Sequence, residues 1–340
     1  MVEHRRRGPR SYIITRTPLR ISFVGGGTDL PSFYRRAGGA VLSMAIDRYV
    51  YVTVKRHSEL FFEPIRINYS KSEQVDRIDE VKNNIVRESM RFLDIEPPIY
   101  ISTVGDVPAS TGLGGSSAFA VGLLHALHAY RGDHVSAGRL AEEASTIEID
   151  VLGEPIGKQD QYAAAFGGLN LFQFKPDGGV TVQHQQAPNG TLGELFESIL
   201  LFWTGHQRDA SSVLVEQRSN IEAKQMQLGR MRDQASELHD ALKRGAIDVV
   251  GLGRMLDEGW RLKRQLARRI TNVQIDHWYE AAIAAGAAGG KLCGAGNGGF
   301  LLFIVPPARH AAVRAALADL TEMRVGPDLR GSQLMIPFNG

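Results

Sequence analysis

The chain has 340 residues, 43% hydrophobic and 22% charged, which is the composition of a globular protein long enough for two domains of moderate size. Its 39 basic and 37 acidic residues leave a formal charge of only +2, so global charge recruits neither a nucleic acid nor a membrane surface. Cys293 is the single cysteine, which excludes an intrachain disulfide and suits a reducing cytoplasm; no apolar run approaches the ~18 residues needed to span a bilayer.

In chain order, Arg5, Arg6, Arg7 and Arg10 form a basic arm with glycine and proline but no signal-peptide apolar stretch, so residues 1–10 are expected to be a solvated, disordered tail. Short apolar or alternating runs predict strands at Arg20 to Val24, Tyr49 to Val54 and Ile99 to Val104, the second built entirely of β-branched and aromatic residues. Helical periodicity follows at Ser116 to Tyr130 and at Ala137 to Val151, where Leu140, Ala144, Ile147 and Val151 share a stripe. His125 and His128 read as helix-face residues, since no third metal ligand accompanies them. After a strand at Leu169 to Phe174, the turn-rich stretch Lys175 to Gly179 and the polar stretch Gln183 to Gly190 suggest a boundary between domains 11–185 and 186–340. Beyond it lie a strand at Ile199 to Trp203, a charged helical stretch from Ser211 to Ile270, a strand at Phe300 to Val305 and a helix at Ala308 to Leu320. Strands and helices mix without a βαβ period, so the expected class is α+β.

Three glycine-rich segments carry the chemistry. Pro108 to Ala118 contains Gly112, Leu113, Gly114 and Gly115 followed by Ser116 and Ser117, between a strand and an alanine-rich helix. Glycines permit close backbone approach, and amides at a helix start carry partial positive charge, so a phosphate is the natural occupant. The serine hydroxyls would cap the helix or bind a phosphate-associated magnesium ion. A Walker A site is excluded because Leu292 follows Gly290 and Lys291 where Ser or Thr is required. Gly294 to Gly299 satisfies the letters of a dinucleotide fingerprint, yet it runs into a strand instead of opening a helix, which argues against NAD. Asp160, in a turn before a short alanine-rich helix, is either a carboxylate for proton transfer or that helix's N-cap.

Taken in order, these segments resemble the signatures of the GHMP kinases. Thr17 to Asp29 is similar to the first signature, Pro108 to Ala118 to the second and Lys291 to Phe300 to the third. Gly26 stands where galactokinases carry an acidic residue, and Gly115 is an extra glycine where many members already have the first serine. The resemblance implies a two-domain fold, with an N-terminal domain like that of ribosomal protein S5 domain 2, a ferredoxin-like C-terminal domain and the site between them. It implies ATP as donor at Pro108, Gly112, Leu113, Gly114, Gly115, Ser116 and Ser117, Mg2+ at Ser116 and Glu148, and catalysis by Asp160 with Arg20.

Details around Gly25 to Pro31, Trp203 to Ser211, Trp260 to Lys263 and Gly289 to Lys291 look like the D-glycero-D-manno-heptose 7-phosphate kinases, which phosphorylate the anomeric oxygen. That likeness implies sugar binding by Gly26, Gly27, Thr28, Asp29, Thr204, Gly205, Arg208, Lys291 and Gly296. Lys263 is a further candidate cation for the sugar's own phosphate, or one more charge on a basic helix face. A fucose-like sugar-1-kinase and a catalytically silent sugar-binding homologue stay open as alternatives. The expected partners are ATP and a sugar phosphate, in the cytoplasm, with a homodimer left open.

Overall fold

The structure, a computed structural model, describes residues 12–185, 191–206, 211–245 and 248–337. The expected basic arm at 1–10 lies outside the described residues. Two long strands organise the first half. β1 (Tyr12–Val24) pairs antiparallel with β2 (Gly39–Arg56) from Tyr12 opposite Lys55 to Val24 opposite Leu42. The first residues of β1 alternate between buried and half-buried, whereas from Thr17 every residue is buried, because its second half is covered on both faces. β3 (Ile65–Asn68), β4 (Ser72–Val75), β5 (Ile99–Gly105), β6 (Leu169–Phe174) and β7 (Val180–His184) extend this sheet. The helices of this half are α1 (Pro31–Ala37), α2 (Asn84–Phe92), α3 (Gly115–Arg131), α4 (Ala137–Ser145) and α5 (Gln159–Phe166).

The central helix, α3, lies against β1 because Gly122 has no side chain: a Cβ there would meet Thr17 Oγ1 at 2.7 Å, and the Thr15 hydroxyl donates to the Gly122 carbonyl at 2.8 Å. The single helix expected from Ala137 to Val151 instead becomes α4 followed by a π-helical stretch over Thr146–Val151. Hydrophobic periodicity continues through the junction, so the widened turn left no trace in it.

In the second half come α6 (Thr191–Glu197), α7 (Ser211–Asn220), α8 (Gln225–Lys243), α9 (Val249–Arg264), α10 (Val273–Ala284) and α11 (His310–Ala316). Its strands are β8 (Ile199–Trp203), β9 (Gly289–Leu292), β10 (Phe300–Ile304) and β11 (Thr321–Glu322), in the antiparallel order β11-β8-β10-β9. β10 divides its faces between two cores. Phe300, Leu302 and Ile304 join the apolar cluster that fills the first half, while Leu301 and Phe303 join a second cluster around Trp260 and Tyr279. Close approach of α9 to β9 depends on glycine at both contact points, since a Cβ on Gly289 would lie 1.8 Å from the Gly253 carbonyl oxygen.

The end of the chain departs from the division expected at residue 185. β12 (Gln333–Pro337) leaves the second half and pairs antiparallel with β1, completing among the described residues an eight-stranded sheet whose main path runs β12-β1-β2-β5-β3-β4. Its amphipathic pattern is too short to announce a partner more than 300 residues away. No helix among the described residues is long and apolar enough to cross a membrane.

Candidate active site

A cavity of about 310 Å³ lies where the two halves meet. Its floor begins at α3. Gly114, with φ +78° in the left-handed region, occupies the N-cap, and no side chain caps the first turn. A Cβ on Gly115 would meet nothing within 4 Å, and Gly114 to Ser117 all line the cavity. Gly112 is required for a different reason: at φ +83°, a Cβ on it would lie 2.5 Å from the Cys293 carbonyl oxygen. The loop Gly294 to Gly299 thus packs directly across the loop before α3, with Phe300 N–H donating to the Thr111 carbonyl at 3.2 Å. This crossing, which ties the two halves together, is the structural use of glycines whose letters mimic a dinucleotide fingerprint.

Arg20, buried on β1, and Asp160, in the first turn of α5, meet as a two-pronged pair. Nε donates to Oδ1 and Nη2 to Oδ2, both at 2.8 Å, while Nη1 donates to the Gly112 carbonyl at 2.7 Å. Such a fork fixes the carboxylate plane as well as its position. Beside it, Ser116 Oγ donates to Glu148 Oε1 at 2.8 Å and Gln161 Nε2 to Oε2 at 2.7 Å. Glu148 projects from the π-helical stretch and is 1% exposed. Burial pushes its carboxyl up to about 7, against the opposing pull of hydrogen bonds from Ser116, Ser117 and Gln161.

The opposite wall is made by the loop after β1 and by residues of the second half. Asp29 accepts from Gly27 N–H at 2.9 Å, from Gln159 N–H at 3.3 Å and from Gln159 Nε2 at 3.0 Å; burial, then the nearby Asp160, raises its carboxyl above the usual range. Lys263 and Lys291, only 7% and 8% exposed, also line the cavity. Lys291 Nζ donates to the Ser22 carbonyl at 2.7 Å and the Phe23 carbonyl at 3.2 Å, and Lys263 Nζ to the Gly294 carbonyl. Neither forms an ion pair with a carboxylate among the described residues. Burial lowers Lys263 to about 7, with the charge on Lys291 adding to the effect, and lowers Lys291 to about 8.

The GHMP kinases N-terminal domain matches residues 80–168, and the GHMP kinases C-terminal model matches residues 238–321. A D-glycero-alpha-D-manno-heptose 7-phosphate kinase of Campylobacter jejuni is 30% identical over 319 residues, covering 90% of this chain and 93% of that protein. The chain belongs to the GHMP kinases. The solved structure of a D-glycero-D-manno-heptose 1-phosphate kinase from Bacteroides thetaiotaomicron superposes with a TM-score of 0.77 at 27% identity, over 95% of this chain and 99% of that one. A galactokinase of Pyrococcus furiosus is 26% identical over 334 residues, covering 87% of this chain and 89% of that protein. This GHMP kinase is accordingly a sugar kinase with ATP as its phosphate donor, and it has the two-domain fold of mixed sheets and helices expected for the family.

The cavity of this GHMP kinase gathers Arg20, Gly26, Gly27, Asp29, Gly112, Gly114, Gly115, Ser116, Ser117, Glu148, Asp160 and Lys291. Other residues singled out in the sequence stand behind its wall. Pro108 is exposed outside it, and Leu113 is core, its carbonyl accepting the Arg20 N–H at 3.0 Å. Thr28 is buried, with its hydroxyl engaged by Gly25 and Ala40. Thr204 Oγ1 donates to the Gly299 carbonyl at 2.7 Å, Gly205 turns the chain at φ +76°, and Gly296 packs on Ile270. Arg208 lies outside the described residues. Ser22, Gln159 and Gln217 also line the cavity. Nothing in the sequence marked these neutral polar residues, since their residue types carry no titratable signal.

Proposed function

We propose that this kinase transfers the terminal phosphoryl group of ATP to the anomeric C1 hydroxyl of D-glycero-D-manno-heptose 7-phosphate, yielding the 1,7-bisphosphate for nucleotide-heptose synthesis. The observation that carries the reading is the pair of buried lysines without acidic partners in the same cavity as the Arg20–Asp160 fork. Buried ammonium groups bonded only to neutral carbonyls favour an incoming anion, and a sugar bearing its own phosphate supplies one. A free hexose leaves them uncompensated. The Campylobacter relative supports the same substrate class.

In this reading, the amides of Gly114 to Ser117 at the start of α3 hold the phosphates of ATP. Asp160, whose oxygens each retain a lone pair beyond the bond from Arg20, orients the acceptor hydroxyl and takes its proton as the new O–P bond forms and the bond to ADP breaks. Arg20 keeps the carboxylate aimed and adds positive charge near the transferring group. Among the described residues, no group of three or more His, Cys, Asp or Glu side chains could hold a metal. Ser116 Oγ and Glu148 Oε1, 2.8 Å apart, fit the smaller protein share of a Mg2+ ion whose other ligands are phosphate and water oxygens. Such an ion would neutralise charge on the phosphates.

The test is ADP release with ATP and Mg2+ across heptose 7-phosphate, free heptose, galactose, fucose and mevalonate, with the product's phosphorylation site read by NMR. The expected result is the highest kcat/KM for heptose 7-phosphate and a phosphate on C1. Preference for a free sugar would replace the substrate, and no turnover of any compound would favour a silent binding homologue.

A further inference from the structure

Three consecutive residues open α5, and each holds a different side chain of the site. Gln159 Nε2 donates to Asp29 at 3.0 Å, Asp160 accepts the fork from Arg20, and Gln161 Nε2 donates to Glu148 Oε2 at 2.7 Å. Successive side chains on a helix point about 100° apart, so a single turn reaches three different walls. Gln159 and Asp160 line the cavity, whereas Gln161 stands behind it and is 0% exposed. A side chain so enclosed meets neither substrate, and whatever it does for the reaction passes through Glu148.

The rest of α5 shows what packing alone selects at buried positions of this helix. Tyr162, Ala163, Ala164 and Ala165 are all buried, and three of the four are alanine. A fully buried glutamine is uncommon unless its polar atoms are used. Gln161 makes one side-chain hydrogen bond among the described residues, the one to Glu148, and its Oε1 has no partner. Packing therefore gains nothing from an amide at this position, and the contact to Glu148 is the one thing it provides. Glu148 itself projects from the π-helical stretch Thr146–Val151, closed by Leu152 N–H on the Ile147 carbonyl at 2.9 Å. Such widened turns are rare and recur at functional sites.

The two oxygens of that carboxylate have different neighbours: Ser116 Oγ bonds Oε1 at 2.8 Å, and Gln161 bonds Oε2. Oε1 is the side assigned above to Mg2+, so the bond on Oε2 can persist beside the ion. A donor on the far oxygen of a ligating carboxylate sets the plane in which it presents its lone pairs.

We infer that Gln161 is a positioning residue for the divalent cation: its amide fixes the carboxylate plane of Glu148 from the side away from Ser116, one residue along the chain from Asp160. The inference rests on the assignment of Glu148 to Mg2+ in the proposed function and adds to it the group that holds the ligand in place. It also makes the first turn of α5 a common mount for the proton acceptor and for the metal's carboxylate.

The experiment measures binding of Mn2+ to the protein with a non-hydrolysable ATP analogue, read from the EPR signal of free Mn2+, in wild type, Gln161→Met, Glu148→Gln and the double variant. Steady-state kinetics and thermal midpoints are measured alongside. Methionine keeps the length and bulk of the side chain and removes the donor. Gln161→Met is expected to weaken Mn2+ binding about tenfold or more, with KM for the sugar at saturating Mg2+ within about threefold of wild type. In the Glu148→Gln background the same change is expected to add less than about twofold, because its target has already gone. Gln161→Asn, which keeps the amide but withdraws it by one methylene, is expected to weaken Mn2+ binding in the same direction and decides the matter if the methionine variant does not fold. The inference is overturned if these variants bind Mn2+ like wild type while Glu148→Gln does not, or if Gln161→Met weakens binding equally with and without Glu148. Unchanged Mn2+ binding in Glu148→Gln itself would instead remove the metal assignment, and the role of Gln161 with it.

Discussion

In the proposed reading, the two ends of the cavity hold an anion by different means. At the start of α3, the donors are backbone amides fixed by Gly112 and Gly114, and they carry no proton that changes with pH. On the opposite wall, Lys263 and Lys291 hold ionisable groups out of water, at about 7 and about 8. The first end is built by backbone conformation and is insensitive to conditions. The second stores an unfavourable charge state until a partner arrives, so ligand binding there is coupled to protons.

The largest effect that would break this comparison concerns the group between the two ends. Asp160→Ala is expected to lower kcat by about 10²–10⁴-fold while ATP affinity, set by the amide end, stays within about threefold, as measured by steady-state kinetics and nucleotide titration. Near-normal turnover would remove Asp160 from the reaction. Glu148→Gln is expected next, raising the Mg2+ concentration for half-maximal activity about 10–100-fold. With the carboxyl raised to about 7 by burial, its charged form becomes populated only as pH rises through that value, so wild-type demand for Mg2+ is expected to ease from pH 6 to pH 8.

Proton coupling sharpens the contrast. Calorimetry in buffers of different ionisation enthalpy is expected to show uptake of about one proton or more per heptose 7-phosphate bound at pH 8, diminishing toward pH 6, where the lysines are already charged. ATP bound without metal at the amide end is expected to show much less uptake at pH 8. The smallest effect is on stability. Lys263 has a folded value below its unfolded one, so its burial cost is present in full below about 7 and fades as pH climbs toward 10.5. Lys263→Met is therefore expected to raise the thermal midpoint of the ligand-free protein by a few degrees at pH 6, with the gain shrinking toward pH 10.

The sequence announced the amide end far better than the lysine end, and the reason is physical. Gly112, Gly114 and Gly115 ahead of an alanine-rich helix form a local pattern, legible because the amides they position belong to the same segment. The six expected strands are all present, several of them longer than their apolar runs, since β1 begins at Tyr12 and β2 at Gly39. Lys263 carried no comparable signal: on α9 it is one cation beside Arg261 and Arg264, and which of them is buried is decided by how the helix packs. Thr28 and Thr204 illustrate the converse. Both lie next to ligand-type glycines in sequence, yet their hydroxyls close loops on the far side of the wall. The family resemblance implies Glu148 but not the π-helical stretch that delivers it, because one extra residue in a turn leaves apolar periodicity intact.

The pairing of β12 with β1 orders events during synthesis. The strand that carries Arg20 is translated about 300 residues before its outer neighbour, so that side of the first sheet stays unzipped until Gln333 to Pro337 have been made. A product cut short before Gln333 would expose the backbone groups of β1 that Gln333 to Pro337 cover, inviting edge-to-edge association of nascent or truncated chains.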